Sequence, residues 1–420
     1  MASATENIDK TPAIGVTRAV LTVCLPFALG YFLSYLYRTV NAVISDRLSQ
    51  DVGLDAHDLG LLTSAYFLAF AAAQIPLGMF LDRYGPRRVQ TILMCVAGLG
   101  ALVFSLSGEQ AGLMIGRALI GLGVAGGLMA SLKAITIWFP KRRWPLFNAI
   151  ILTTGGIGAM AATTPIHWAF GFTDWRGVFM GLAGISAMVA AVIFLSVPER
   201  KTVVATPSLG QQLRTLGDIY GNRLFWRVAP ITVLVAAAGM AIQTLWTGPW
   251  LRDVAGLNQA DTASYLLMIA AWMTVGFALG GVITDILTRY GFSLMAIMGT
   301  GMLIFILSQL YLIFPFDPLA QWPWAVFALS ANMMVLAFPI LSGHFPLELA
   351  GRVNTALNVF VFGGAFAVQY GIGAIIHLYP ADAGNHYPPE AYQAAIGTFL
   401  VLQGLTFLWF LLFRKKGNSS

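Results

Sequence analysis

The stretch that decides the fold runs from Gly78 to Arg88 and reads G-M-F-L-D-R-Y-G-P-R-R. A long apolar run ends there, and the chain then meets an aspartate, three arginines, a glycine and a proline in quick succession. Charged and turn-forming residues placed directly after an apolar segment indicate a tight, positively charged turn at a membrane surface.

A partial copy of this stretch lies about 200 residues further on, where Gly281 to Gly291 reads G-V-I-T-D-I-L-T-R-Y-G. The copy keeps a glycine four residues before an aspartate, Asp285, and the Arg-Tyr-Gly triplet that begins at Arg289. A turn repeated at such an interval, each time after an apolar run, is typical of a membrane protein built from two related halves.

The composition indicates that most of the chain is not exposed to water. Hydrophobic residues make up 58% and charged residues 10%, whereas soluble domains carry about 25% charged residues. Twelve apolar runs reach the roughly twenty residues that cross a bilayer as a helix, and they are too long for the strands of a membrane barrel. We predict an all-α membrane protein with spans at 19–45, 59–81, 89–108, 112–139, 146–171, 177–197, 228–251, 263–287, 293–314, 323–344, 353–378 and 392–413.

The loop charges predict the orientation. Lysine and arginine cluster in the loops of one side, whereas Arg47, Arg176 and Arg252 fall on the other. By the positive-inside rule, both termini and the central linker are cytoplasmic, and the protein lies in the cell's inner membrane. The basic clusters are therefore topology signals and predict no nucleic-acid partner.

The order of spans and polar segments divides the chain into five parts. We predict a cytoplasmic tail at 1–18, a first bundle at 19–197, a linker at 198–227, a second bundle at 228–413 and a tail at 414–420. Within the linker, Leu209, Leu213, Leu216, Tyr220 and Leu224 recur at helical spacing. This pattern predicts a short amphipathic helix at the membrane surface.

Taken together, these features resemble the major facilitator superfamily of secondary transporters. The turn resembles that family's signature, and R-A-L-I-G at Arg117 to Gly121 resembles its second one. The resemblance implies two pseudo-symmetric six-helix bundles, alternating access, a monomer in the lipid bilayer, no cofactor and no enzymatic activity. It assigns conformational roles to Gly78, Asp82, Arg83, Gly85, Arg87, Arg88, Arg117, Gly121, Asp285 and Arg289.

The aspartate of the turn has a possible partner in the second half. A carboxylate is stabilised beside a helix N-terminus, and the family's packing would bring Asp82 to the start of helix 11, near Arg352 to Asn354. Asp82 would then latch the halves together on the cytoplasmic side in the outward-facing state. The alternative is that Asp82 and its arginines only cap a tight loop.

A charged residue inside the bilayer costs free energy, so its presence there indicates a functional role. No acidic residue falls in the middle of a predicted span, but Arg38 and Lys133 do, and Arg117 lies nearer one end. Arg38 shares one helical face with Tyr31, Ser34, Tyr35, Asn41 and Ser45, which predicts a wet cavity. An arginine there without an acid partner favours a carboxylate or phosphate. Alternatively, Arg38 snorkels or bonds backbone carbonyls, and Lys133 reaches the surface.

The second half supplies neutral side chains to the same predicted cavity. Gln243, Trp246, Thr247 and Trp250 share a face of span 7, and Asn354, Asn358 and Gln369 share one of span 11. Aromatic and amide groups can surround the organic body of a substrate, although Trp250 could equally anchor at the membrane interface. Together with Arg38, Tyr35, Asn41 and Lys133, we predict Gln243, Trp246 and Asn358 as substrate-binding residues.

His167, near the outer end of span 5, has the titration range of a proton carrier, and we include it as a candidate for coupling or binding. Other routes are entry of a protonated substrate or exchange for another anion. The leading prediction is thus a secondary transporter of a small organic anion, resembling the organophosphate antiporters and anion:cation symporters. The alternatives are an exporter of amphipathic compounds and a transporter-like sensor. Cys24 and Cys95 lie in apolar runs, so no metal or disulfide framework is expected.

Overall fold

The computed structural model describes residues 15–199, 217–346, 349–382 and 384–413. Over these residues it is helical and without strands, and it contains twelve helices long and apolar enough to cross a membrane. They are α1 (Thr17–Thr39, continued by Asn41–Val52), α2 and α3 (both within Ala56–Leu106), α4 (Gln110–Trp138), α5 (Leu146–Ala169), α6 (Trp175–Ser196), α7 (Arg223–Asp253), α8 (Gln259–Arg289), α9 (Leu294–Ile313), α10 (Trp322–Ser342), α11 (Gly351–Ile376) and α12 (Pro389–Leu412). The predicted fold class is confirmed.

The predicted linker helix lies mostly outside the described residues, because residues 200–216 are not among them. The tails at 1–14 and 414–420 lie outside them as well. The predicted division of the chain therefore stays a prediction at these boundaries.

The two copies of the repeated turn both contain a glycine with a positive φ. Gly85 breaks the helix between α2 and α3 with φ 78°, and Gly291 follows the end of α8 with φ 89°. A positive φ is costly for residues with a Cβ and free for glycine. In each copy, the glycine of the Arg-Tyr-Gly triplet therefore lies where the helix is interrupted or ends, and it can adopt this conformation without strain.

We call the side of the molecule that carries the Gly85 turn the signature side and the other end the opposite side. α1 begins on the signature side and runs to Val52, where Gly53 ends it with φ 73°. This end lies beyond the predicted limit at residue 45. Asp46 and Arg47, just past that limit, continue the helix and contact the second half.

On the opposite side the two halves are packed against each other. A Cβ on Gly373 of α11 would lie 2.5 Å from the carbonyl oxygen of Ala56 and 3.2 Å from Gly60 Cα, both in the first half. Gly248 of α7 packs equally closely against the backbone of Ala42. Small residues allow helix backbones to approach in this way. These contacts form a seal between α1 and α7 and between α2 and α11.

Polar contacts reinforce this seal at the water-facing end. Asp46 of α1 forms an ion pair with Arg252 of α7 at 2.6 Å. The side-chain amide of Asn385 donates to the carbonyl oxygen of Leu54 at 2.8 Å. The halves are therefore joined by charge and hydrogen bonds as well as by close backbone packing.

Candidate functional site

A cavity of about 360 Å³ lies between the halves, and its volume suits a small molecule. Helices α1, α2, α4, α5, α7, α8, α10 and α11 all contribute to its walls. Several wall residues, such as Gln74, Leu132 and Asn354, belong to the signature-side ends of their helices. With the opposite side sealed, the cavity faces the signature side.

Arg38 lines the cavity near the end of the span of α1, away from the signature side. Among the described residues that form its walls, Arg38 alone carries a charge. Its side chain is buried, and its Nε has no hydrogen-bond partner within the described part of the chain. No aspartate or glutamate of that part lies within ion-pair distance of the guanidinium. The cavity thus presents an uncompensated positive group, which favours an anion.

Aromatic rings surround the guanidinium and close the cavity beside it. The Arg38 Cζ atom lies 4.6 Å from the ring centre of Tyr35 and 5.4 Å from those of Phe70 and Phe362. The Phe70 and Phe362 rings come from opposite halves, and their centres are 4.0 Å apart. Such contacts stabilise a cation in the protein interior, and they leave the Nε donor of Arg38 without a hydrogen bond.

Amide side chains supply the remaining polar groups of the cavity. Gln243 Nε2, Asn148 Oδ1 and Asn354 Oδ1 are buried and have no partner among the described residues. Asn358 also lines the cavity, one helical turn from Asn354. A buried polar atom left without a hydrogen bond is costly, so these atoms favour a ligand that bonds them.

The backbone of α7 explains why Gln243 lines the cavity and Trp246 does not. Ile242 to Trp246 forms a π-helical segment, which inserts extra backbone and rotates the following residues relative to a regular α-helix. Trp246 is buried, and its Nε1 donates to the carbonyl oxygen of Gln369 at 3.3 Å. Trp250 is likewise buried and bonds to Leu312, so the interfacial alternative was wrong for it.

The structure brings four of the predicted binding residues together and places the others elsewhere. Those that line the cavity are Arg38, Tyr35, Gln243 and Asn358. Asn41 is buried outside it, where its amide donates to Thr63 Oγ1 at 2.8 Å. His167 lies half-buried in the last turns of α5, outside the cavity walls.

The structure pairs Lys133 with the signature aspartate. Lys133 Nζ lies 2.8 Å from Asp82 Oδ1, and both groups are partly exposed on the signature side. This ion pair lies within the first half. With the cavity open to this side, Asp82 therefore interacts with α4, and the predicted latch to α11 stays a prediction for the other state.

The arginines of the turn tie it to the end of α6. Arg87 donates to the carbonyl oxygen of Phe194 at 2.6 Å, and both Arg87 and Arg88 form ion pairs with Glu199. Gly78 and Arg83 are exposed at the same turn. In the second copy, Asp285 pairs with Arg289 at 2.7 Å, one helical turn away.

The second signature forms a buried packing site between helices. Arg117 is fully buried, and its Nη1 donates to the carbonyl oxygen of Tyr37 at 3.1 Å. Gly121, one turn further along α4, packs directly against the backbone of Tyr66 in α2. Both residues therefore hold α1, α2 and α4 together rather than line the cavity.

Most of the cavity residues were not singled out by sequence reasoning, and Phe70, Phe362 and Asn148 are the most informative of them. Phe70 and Phe362 are unremarkable apolar residues in the sequence, and only their contact across the halves distinguishes them. Asn148 could have been found, because it is an amide within a predicted span.

Two substitutions on the signature side should shift the balance between states in opposite directions. Asp82→Asn removes both the partly exposed ion pair with Lys133 and the group that would latch α11 in the other state. We expect the latch to be the larger of the two losses, so the signature-side-open form should gain population. Lys133→Gln removes only the ion pair of the present state, worth at most about 1 kcal/mol, so the same form should lose population.

A single cysteine at Met129 in the cavity wall, with Cys24 and Cys95 replaced by serine, reports this balance. Its reaction with an impermeant thiol reagent should be faster in Asp82→Asn and slower in Lys133→Gln than in the parent. Equal reactivity in the three proteins would contradict the latch.

Comparisons with known proteins agree with this architecture. A family model described as the Major Facilitator Superfamily matches residues 27–369. The chain is 23% identical over 367 residues to the probable sulfoacetate transporter SauU of Cupriavidus necator, with 83% of each chain covered. It is 24% identical over 278 residues to the hexuronate transporter of Escherichia coli, with 62% of this chain and 64% of that protein covered.

A solved structure extends the agreement to the fold. The structure of a bacterial homologue of the human lysosomal transporter Spinster, in an inward-facing and unoccupied conformation, superposes with a TM-score of 0.75 at 18% identity. The match covers 95% of this chain and 97% of that one. The family match spans most of the chain, and this protein therefore belongs to the Major Facilitator Superfamily of membrane transporters.

Proposed function

We propose that the protein is a secondary transporter that moves a small organic anion by alternating access of its two halves. The observation that carries this proposal is Arg38, the one charged side chain among the described cavity walls. Its guanidinium can bind a carboxylate, sulfonate or phosphate through two parallel hydrogen bonds. The names of the relatives, which transport sulfoacetate and hexuronate, support an anionic substrate.

The amides extend the proposal to the body of the substrate. On α11, Asn354, Asn358 and Phe362 follow one another at four-residue steps along the cavity, so Asn358 and Asn354 lie about 6 and 12 Å along the helix from the ring beside Arg38. The free Oδ1 atom of Asn354 suits a hydroxyl group, and the Asn358 amide lies between it and Arg38. The substrate proposed is therefore a hydroxylated acid of roughly six carbons, with its acid group at Arg38.

Orientation and coupling complete the proposal. With the signature side cytoplasmic, as the loop charges predict, the cavity of this structure is inward-facing. Among the described residues of its walls, none is an acid or a histidine. We therefore place the proton, if one is coupled, on the substrate or outside the cavity, and exchange for a second anion is the alternative route.

A second candidate function is the export of amphipathic compounds. The aromatic and aliphatic walls around Phe277, Phe338 and Phe362 favour it, because such surfaces accept many apolar molecules. Arg38 disfavours lipophilic cations, because a buried positive charge repels them. The two functions can be distinguished by comparing the affinity of the protein for an anion with its affinity for a lipophilic cation.

The test is ligand-induced thermal stabilisation of the purified protein by galacturonate, sulfoacetate, hexanoate and tetraphenylphosphonium. We expect galacturonate to stabilise most and the apolar acid hexanoate less. Arg38→Ala removes two charge-assisted hydrogen bonds of about 1.5–3 kcal/mol each, so affinity for the acids should fall about a hundredfold or more.

Arg38→Lys keeps the charge but loses the planar fork, so it should retain part of the affinity. His344→Ala, outside the cavity walls, is the control and should bind as the parent does. Stabilisation by tetraphenylphosphonium alone, or by acids equally in Arg38→Ala, would contradict an anion transporter.

A further inference from the structure

Four side chains able to bind a metal meet on the opposite side, where the two halves touch. Asp55, His57 and Asp58 begin α2, and one ligand atom from each lies within 4.8 Å of the others. His377 ends α11 of the second half, and its Nδ1 lies 3.1 Å from Asp55 Oδ2. All four side chains are 25–52% exposed, so an ion can reach them from water.

Two of the spacings between these groups are close to those in a tetrahedral zinc site. Zinc binds histidine nitrogen and carboxylate oxygen at about 2.0–2.2 Å, which places neighbouring ligand atoms roughly 3.4 Å apart. Here the Asp55 Oδ2 to His377 Nδ1 distance is 3.1 Å, and the Asp58 Oδ1 to His57 Nδ1 distance is 3.6 Å. The ligand atoms of Asp55, His57 and Asp58 already lie close together. The two imidazole ring centres lie 5.9 Å apart, so His377, which contacts Asp55, must turn toward the other three to share one ion with them.

Helix capping accounts for only half of the carboxylate oxygens. The backbone N–H of Asp58 donates to Asp55 Oδ1 at 2.8 Å, and that of Asp55 donates to Asp58 Oδ2 at 3.4 Å. The other oxygen of each carboxylate faces a histidine of the cluster. Capping alone gives no reason for two imidazoles from different halves to meet these oxygens.

Neighbouring side chains form hydrogen bonds to the members of the cluster, as outer-shell residues do in known metal sites. The Nε2 atom of His57 lies 3.1 Å from the hydroxyl of Tyr370, which leaves Nδ1 directed at Asp58 Oδ1. Gln110 Nε2 donates to that carboxylate oxygen at 2.6 Å. A hydrogen bond on the second ring nitrogen is the usual way in which proteins fix a metal-binding histidine.

We propose that Asp55, His57, Asp58 and His377 bind a divalent transition metal, with Zn²⁺ the best fit, and that the ion clamps the opposite side shut. Two histidines and two carboxylates suit zinc more than magnesium, which requires six oxygen ligands. Because the ligands come from both halves, at least one metal bond must break before this side opens. The site is therefore inhibitory. No metal framework was expected from the sequence, because only Cys24 and Cys95 were considered as ligands, and Asp55, His57 and Asp58 were not singled out.

Thermal unfolding of the full-length protein with ZnCl₂, and with MgCl₂ as the reference ion, tests this proposal. Zn²⁺ should raise the unfolding temperature of the parent and Mg²⁺ should not. Loss of an outer-shell partner of a metal typically weakens binding 10–100-fold. Loss of a ligand in His57→Gln or His377→Gln should therefore raise the half-maximal Zn²⁺ concentration at least tenfold.

Matched controls are His167→Gln and His344→Gln, which lie outside the cluster and should respond as the parent does. Tyr370→Phe keeps the ring and removes only the bond to His57, so it provides a folded variant with weakened Zn²⁺ binding. The absence of a Zn²⁺ response in the parent overturns the proposal. So does a response that survives both His57→Gln and His377→Gln, or one that is lost in His167→Gln or His344→Gln.

Discussion

Replacing Gly373 with leucine should prevent the opposite side from closing. The new Cβ would lie 2.5 Å from the carbonyl oxygen of Ala56 and 3.1 Å from the Trp246 ring. Because the first of these neighbours is backbone, α2 and α11 must separate. Overpacking of this kind costs about 1–3 kcal/mol, so the closed form should lose about 5- to 150-fold in population relative to the form open on this side.

Spin labels at Glu109 and Ala260, exposed positions of the two halves on the opposite side, measure this opening as a longer distance. Gly363→Leu is the matched control, because it lies on the same helix and a Cβ there meets no atom within 4 Å. Its distance distribution should match that of the parent. An unchanged distance in Gly373→Leu would show that α11 does not form the seal.

Replacing Asp253 with alanine should give the largest loss of stability. Its side chain is fully buried. It accepts hydrogen bonds from Arg252 Nε at 2.5 Å, from the Tyr392 hydroxyl at 2.6 Å and from the backbone N–H of Tyr387 at 3.1 Å. His386 Nδ1 lies 2.9 Å from the same carboxylate. Removing one partner of a buried ion pair typically costs about 3–5 kcal/mol. Because Arg252 keeps its pair with Asp46, we expect a loss near the lower end of this range.

The free energy of unfolding in mixed micelles with increasing SDS measures this loss. Asp285→Ala is the matched control, because it also removes an aspartate paired with an arginine, but Asp285 and Arg289 are 61% and 78% exposed. That pair should contribute no more than about 0.5 kcal/mol. Equal losses in the two variants would contradict the role assigned to the buried network.

The parts of this protein that sequence predicts are those set by local chemistry. The twelve helices follow from apolar runs of sufficient length, and Arg38 follows from a polar stripe at helical spacing. Gly85 and Gly291 follow from the repeated turn. Each of these signals is complete within one helix or one loop.

The remaining features depend on contacts between distant segments or on irregular backbone. Gln243 and Trp246 share a face in a regular helix, and the π-helical segment of α7 separates them. The pairing of Lys133 with Asp82 joins α4 to the turn after α2. Sequence reasoning placed these four side chains by helical spacing alone. Their actual positions and partners depend on how the helices pack.

The cavity's polar groups are divided unequally between the halves. Among the described wall residues, the charged group belongs to α1 of the first half, whereas most of the amides, those of α7, α10 and α11, belong to the second half, beside Gln74 and Asn148 of the first. Recognition of an acid group and discrimination among acids would then be separable traits. Exchanges of asparagine and glutamine in the second half could diversify the cargo of such carriers during evolution, while the anchoring of the anionic end stays intact.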